Sequence, residues 1–91
     1  MYKIESVQTL TVGTTAQTVS VRGLGCLVQN NSESATVYFK EARFDGKAAA
    51  ASNGYALGPG KETRLPLVAM DLSIVASAAG ADVRVLILEE E

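Results

Sequence analysis

Apolar and polar residues alternate with a period of two along most of this chain. Val19 and Val21 alternate with Thr18, Ser20 and Arg22, and Val37 and Phe39 with Thr36, Tyr38 and Lys40. Thr63, Leu65 and Leu67 alternate with Glu62, Arg64 and Pro66. Leu72, Ile74 and Ala76 form a row, and so do Val83, Val85 and Ile87. One apolar row per run marks a strand with one buried face. Turn formers fall between the runs: Gly13, Gly23, Asn30-Asn31-Ser32, Asp45-Gly46, Asn53-Gly54, Pro59-Gly60 and Gly80. The spacing predicts strands at 4–12, 16–22, 24–30, 35–41, 55–57, 62–68, 72–77 and 82–89. Short strands with frequent turns predict one all-β domain over 1–91. Its expected form is an antiparallel β-sandwich of about seven or eight strands, jelly-roll-like or Greek-key.

The irregular places are informative. Ile4, Leu10 and Val12 share a parity that Val7 breaks, which predicts a bulge or kink near 6–8. Pro66 lacks a backbone N–H, so its strand belongs at an edge or a bulge. Lys47-Ala48-Ala49-Ala50-Ala51 favours helix but is too short to hold one, and reads as a loop with one turn.

Two strands carry apolar residues on both faces. In 82–89 the row opposite Val83, Val85 and Ile87 begins with Asp82 and Arg84 and then turns apolar at Leu86 and Leu88. In 24–28, Leu24, Cys26 and Val28 share one side and Leu27 stands on the other. An antiparallel sandwich normally wets its outer face. Leu86, Leu88 and Leu27 therefore need a cover: the arm 1–8, the loop 42–52, or another copy of the chain. A small domain gains stability by sharing core area, so a homo-oligomer with its contact at these residues is expected.

Composition narrows the chemistry. The chain has 91 residues, of which 47% are apolar and 20% charged, and a net charge of −2. That balance carries no basic footprint for nucleic acid. Histidine is absent, which removes the commonest general base and the commonest metal ligand. The one cysteine, Cys26, stands in an apolar run and reads as a core residue. Gly54-Tyr55-Ala56-Leu57-Gly58-Pro59-Gly60-Lys61 suggests a phosphate loop, but the spacing fails. Tyr55 stands where the first glycine is required, Glu62 where a magnesium-binding hydroxyl is required, and Pro66 follows where a helix is required. No acidic spacing fits a calcium loop. No catalytic residue, cofactor or metal is therefore expected. The N-terminus has no apolar signal core and no run approaches about 18 apolar residues, so neither export nor a membrane helix is expected. Asn30-Asn31-Ser32 matches a glycosylation sequon, read as chance without export. A rival binding reading remains, because small β-sandwiches often bind sugars on aromatic platforms. With no Trp present, Tyr38 and Tyr55 would have to supply it.

Three stretches, "LVQNNSESATVYF" (27–39), "NGYALGPGKETRLPL" (53–67) and "DLSIVASAAGADVRVLILE" (71–89), resemble in their order a pattern in small bacteriophage virion proteins. There an apolar strand ends in Gln-Asn, a second strand carries Tyr, a Gly-x-x-Leu-x-Pro-Gly turn follows, and a final hairpin reads like Ala-Asp-Val-Arg-Val. The resemblance covers about two thirds of the chain and stops at the loop "ARFDGKAAAAS" (42–52). It implies a structural β-sandwich of the head-decoration, head-fibre or tail-associated kind. Such a protein is made in a bacterial cytoplasm, resides in the virion and attaches to other virion proteins. It also implies a ring of three copies, against the dimer that is commoner in general.

Overall fold

The computed structural model describes residues 2–42 and 47–90; inside the strands, the side chains of 2–6, 23–24, 66–70 and 88–90 lie outside that description. Six strands are present among the described residues: β1 (Tyr2–Val12), β2 (Gln17–Asn30), β3 (Val37–Glu41), β4 (Tyr55–Leu57), β5 (Glu62–Ala76) and β6 (Ala81–Glu90). Every pairing is antiparallel. The pairing is nested: β1 with β6, β2 with β5, β3 with β4, with further ladders from β2 to β6 and from β3 to β5. The hydrogen-bonded order is β1-β6-β2-β5-β3-β4.

That one ladder folds over itself. β2 and β5 are 14 and 15 residues long, and each runs through both layers. Their first and second halves count as separate strand segments, so eight segments form two four-stranded sheets packed as a sandwich. Sheet I contains β1, β6, residues 25–30 of β2 and residues 62–66 of β5. Sheet II contains residues 17–22 of β2, residues 69–76 of β5, β3 and β4.

Parity shows where the fold-over occurs. Val19 and Val21 are buried in the first half of β2, and Cys26, Val28 and Asn30 in the second. The inward row thus changes from odd to even numbers across Gly23-Leu24-Gly25. In β5 the change is mirrored: Thr63 and Leu65 are half-buried, then Leu72, Ile74 and Ala76 are buried. The β2–β5 register is the same on both sides, from Gly23↔Val68 to Gly25↔Pro66. Both strands therefore turn the corner at the same level. The expected strands 16–22 and 24–30, and likewise 62–68 and 72–77, are the two halves of one bent strand each. Pro66 sits at that corner, in the half of β5 that pairs with β2 while the ladder to β3 begins at Leu72.

The core is the set the alternation selects. Val19, Val21, Val37, Phe39, Leu72, Ile74, Ala76, Val83, Val85 and Ile87 form one buried cluster with Cys26, Val28 and Val12. The register shift of β1 falls between Ile4 and Ser6, just before the expected place. On its two sides Ile4 pairs with Leu88 and Val7 with Leu86; the side chain of Ile4 lies outside the described residues.

Two glycines are needed for different reasons. Gly58-Pro59-Gly60-Lys61 closes with Lys61 N–H donating to Gly58 O at 3.1 Å, and Gly60 has φ 73°. Proline second and positive-φ glycine third make a type II turn. Gly54, in the expected turn Asn53-Gly54, does not adopt positive φ. A Cβ there would stand 3.0 Å from Tyr38 Cβ and 3.1 Å from Phe39 N, so the close approach of two chain segments demands it.

Candidate functional site

The two outer faces of the sandwich differ. Sheet II is covered by its own chain over β5, while Thr18, Ser20 and Arg22 of its β2 half stay exposed. Residues 47–53 cross the outside of β3 and β5, with Ala49 N–H donating to Ser73 Oγ at 2.8 Å. Ser73 and Val75, which point away from the core, are buried beneath. The segment is held in shape by Asn53, whose Oδ1 accepts from Ala50 N and whose Nδ2 donates to Ala48 O. The loop 42–52 was one of the covers expected for Leu27 and Leu86, and its described part covers Tyr38 and Val75 instead.

Sheet I carries an apolar strip on its outer face. Leu86 pairs with Val7 on one side and with Leu27 on the other, so the three stand in one row across β1, β6 and β2. Leu27 and Leu86 are half-buried, and Val7 is 53% exposed. In the next row Leu88 pairs with Ile4 and Gly25; the side chain of Leu88 lies outside the described residues. The structure thus brings Leu27 and Leu86 together, and adds Val7, which parity alone left as a break in its strand.

A polar row borders the strip. Arg84 pairs with Thr9 and Gln29, and Gln29 with Glu62. Asp82 Oδ2 accepts from Asn31 Nδ2 at 3.0 Å and from Arg84 Nη2 at 3.2 Å. These bonds, the Asn31 amide first and then Arg84, hold the Asp82 carboxyl below its ordinary pKa. Its second oxygen, Oδ1, is out of solvent and without a partner.

Tyr38 and Tyr55 do not form the platform that the rival sugar-binding reading needs. Tyr38 pairs with Ala56 and Phe39 with Tyr55, so the two tyrosines project from opposite faces of the β3–β4 ladder. Tyr38 lies at the 48–51 segment. Tyr55 packs on Phe39 at the rim, with ring centroids 5.4 Å apart and planes tilted by 55°. It borders a cleft of about 340 Å³ with Phe39, Leu65, Leu72, Thr63, Lys40 and Glu41. Cys26 is fully buried, and burial pushes its thiol pKa up, against a nucleophilic role. The glycine-rich turn points its N–H groups inward: Gly60 N–H donates to Asn30 O and Lys61 N–H to Gly58 O. Among the described residues no three His, Cys, Asp or Glu side chains converge as a metal site would need, and no helix is long and apolar enough to cross a membrane.

One residue the alternation did not reveal ties the rim together. Asn30 is fully buried, and its Nδ2 donates to Ala35 O and Leu57 O at 2.8 and 2.9 Å. Its Oδ1 accepts from Ser32 N at 3.1 Å and from Ser32 Oγ. A sequon asparagine so engaged offers no amide to a glycan in the folded chain.

Comparison of the chain with protein-family models, with curated proteins and with solved structures found no match.

Proposed function

We propose that this chain is a non-enzymatic structural protein of a phage or prophage virion, which works by self-association and by attachment to other virion proteins. The observation that carries the associative part is the apolar row Val7–Leu86–Leu27, left half-open on sheet I while the chain lays residues 47–53 over the apolar Val75 on the outer face of sheet II. A contiguous exposed apolar patch bordered by polar residues marks an interaction surface. The virion setting rests on the resemblance of 27–39, 53–67 and 71–89. The glycan reading has lost its support, since Tyr38 and Tyr55 occupy different faces.

Light scattering on a sizing column tests the associative part. The natural protein is expected to run as an oligomer at micromolar concentration. Burying a leucine stabilises by about 1.5–3 kcal/mol at most, so Leu86→Ser/Leu88→Ser should give a folded monomer with an unchanged β-type circular dichroism spectrum. A natural protein that is monomeric at that concentration overturns the proposal. Mass spectrometry of purified phage particles tests the setting, and absence from them would remove it.

A further inference from the structure

Folded over at its corner, the ladder ends in four strand edges among the described residues: β1 and residues 62–66 in sheet I, residues 17–22 and β4 in sheet II. An open edge is a template for another strand, and chains blunt it with bulges, short strands, charge or proline. β1 has its register shift between Ile4 and Ser6. β4 is three residues long. Residues 62–66 carry the exposed charges of Glu62 and Arg64 and end in Pro66, which has no N–H to donate. Residues 17–22 have none of these devices. Their ladder to β5 runs without a shift from Gln17↔Ile74 to Arg22↔Ala69. Their one charge, on Arg22, stands 3.9 Å from Asp71 Oδ1.

The hydrogen bonds of β5 show which way this edge points. Ala42 N–H donates to Asp71 O and Ser77 N–H to Thr36 O, on the β3 side, whereas Ala76 N–H donates to Gly13 O, on the other side. Successive residues of a strand turn their backbone groups to opposite sides. Met70 and Leu72 thus face their partners Val21 and Val19. Thr18 and Ser20 turn their N–H and C=O away from β5, and both residues are exposed.

We propose that residues 17–22 make a weak edge-to-edge contact with the same strand of a second copy, antiparallel about a two-fold axis at Val19, which continues sheet II across both chains. Opposed residues share a face of the sheet. Val19 then meets Val19 on the core side, and Thr18 meets Ser20 on the outer side. Each Thr18–Ser20 pair exchanges two backbone hydrogen bonds, about four for the whole contact. The edge matches itself, which argues for a copy rather than a foreign strand: apolar row continues apolar row, polar row continues polar row, and no like charges are opposed. Val19, at 9% the most exposed of the buried core residues, is the one that the pairing closes over. About four hydrogen bonds fall short of the roughly ten of a standard interface. The pair therefore forms above micromolar concentration, or between copies already gathered by the sheet I strip. It is a separate contact from that strip and goes beyond the function proposed above.

Sedimentation from micromolar to about millimolar concentration tests it. The average mass should rise with concentration beyond its micromolar value. Thr18→Lys/Ser20→Lys sets lysine against lysine twice and should weaken that step about tenfold. The same variant takes the net charge from −2 to zero, which by itself favours association, so a loss belongs to the edge. Thr18→Glu/Ser20→Lys keeps the net charge, sets opposite charges together and should stay within about threefold of the natural protein. An axis at Ser20 would instead set lysine on lysine in both variants. Thermal melting checks that each variant folds. No rise in mass, a rise that Thr18→Lys/Ser20→Lys leaves in place, or a rise that both variants abolish overturns the edge pair and leaves the strip standing. A natural protein that is monomeric at micromolar concentration, yet shows the charge-sensitive rise, removes the strip contact and supports the edge pair.

Discussion

Asn30 shows how much one side chain can hold in a domain with a small core. Its amide joins the end of β2 to Ala35 and to Leu57 of β4, and its backbone bonds both Gly60 and Lys61. Asn30→Ala would leave the carbonyls of Ala35 and Leu57 and the Ser32 N–H without these partners at a buried site. Unpaired buried groups cost about 1–3 kcal/mol each, and relaxation recovers part. A loss of roughly 3 kcal/mol is expected, seen as a melting temperature lower by more than about 10 °C. Asp82 offers a pH signature. Its folded pKa lies below its ordinary value, so its contribution to stability is present above the ordinary carboxylate pKa and is lost as pH falls through the folded value. Asn31→Ala removes the first cause of the shift, and a carboxyl titration followed by NMR should show the Asp82 pKa move up. At this scale the sequence announces which residues face the core: Phe39 inward and Tyr38 outward, Cys26 buried, follow from parity alone. It does not announce Asn30, because Leu57 is 27 residues away and only the closed fold brings its carbonyl to the amide.

The elements were legible in type and imperfectly in extent. The change of parity at Gly23-Leu24-Gly25 is visible in the chain, but it does not distinguish a turn from a bend. The decision belongs to the partner, since β5 carries a matching change and the ladder passes through the corner without a register shift. The covering segment 47–53 was legible only as a non-helix. Its docking depends on a close approach that Gly54 permits. Gly54→Ala would press a methyl group against Tyr38 Cβ, Phe39 N and Ala50 O, of which two are backbone atoms that cannot step aside cheaply. A destabilisation of about 1–3 kcal/mol is expected. Gly60→Ala meets nothing within 4 Å and strains only its φ of 73°, a cost of about 1 kcal/mol. Urea midpoints of the two variants should therefore rank Gly54→Ala as the more damaging; the reverse order would mean that the 47–53 segment gives way.

For the molecule as a whole, the class of fold and the membership of its core follow from alternation and turn residues, whereas the strand order does not. Nested pairing is decided by contacts between distant parts of the chain, and a period of two says nothing about which strand lies beside which. The same nesting determines when during protein synthesis each sheet can exist. Every strand of sheet II lies within residues 17–76, so that layer has its full complement before β6 has been made. Sheet I has an interior strand, β6, at residues 81–90, and β1 has no ladder partner until those residues are made. The apolar strip on sheet I comes into being only once those residues have been made. A chain made only as far as residue 76 therefore has no finished face on sheet I with which to stick to another.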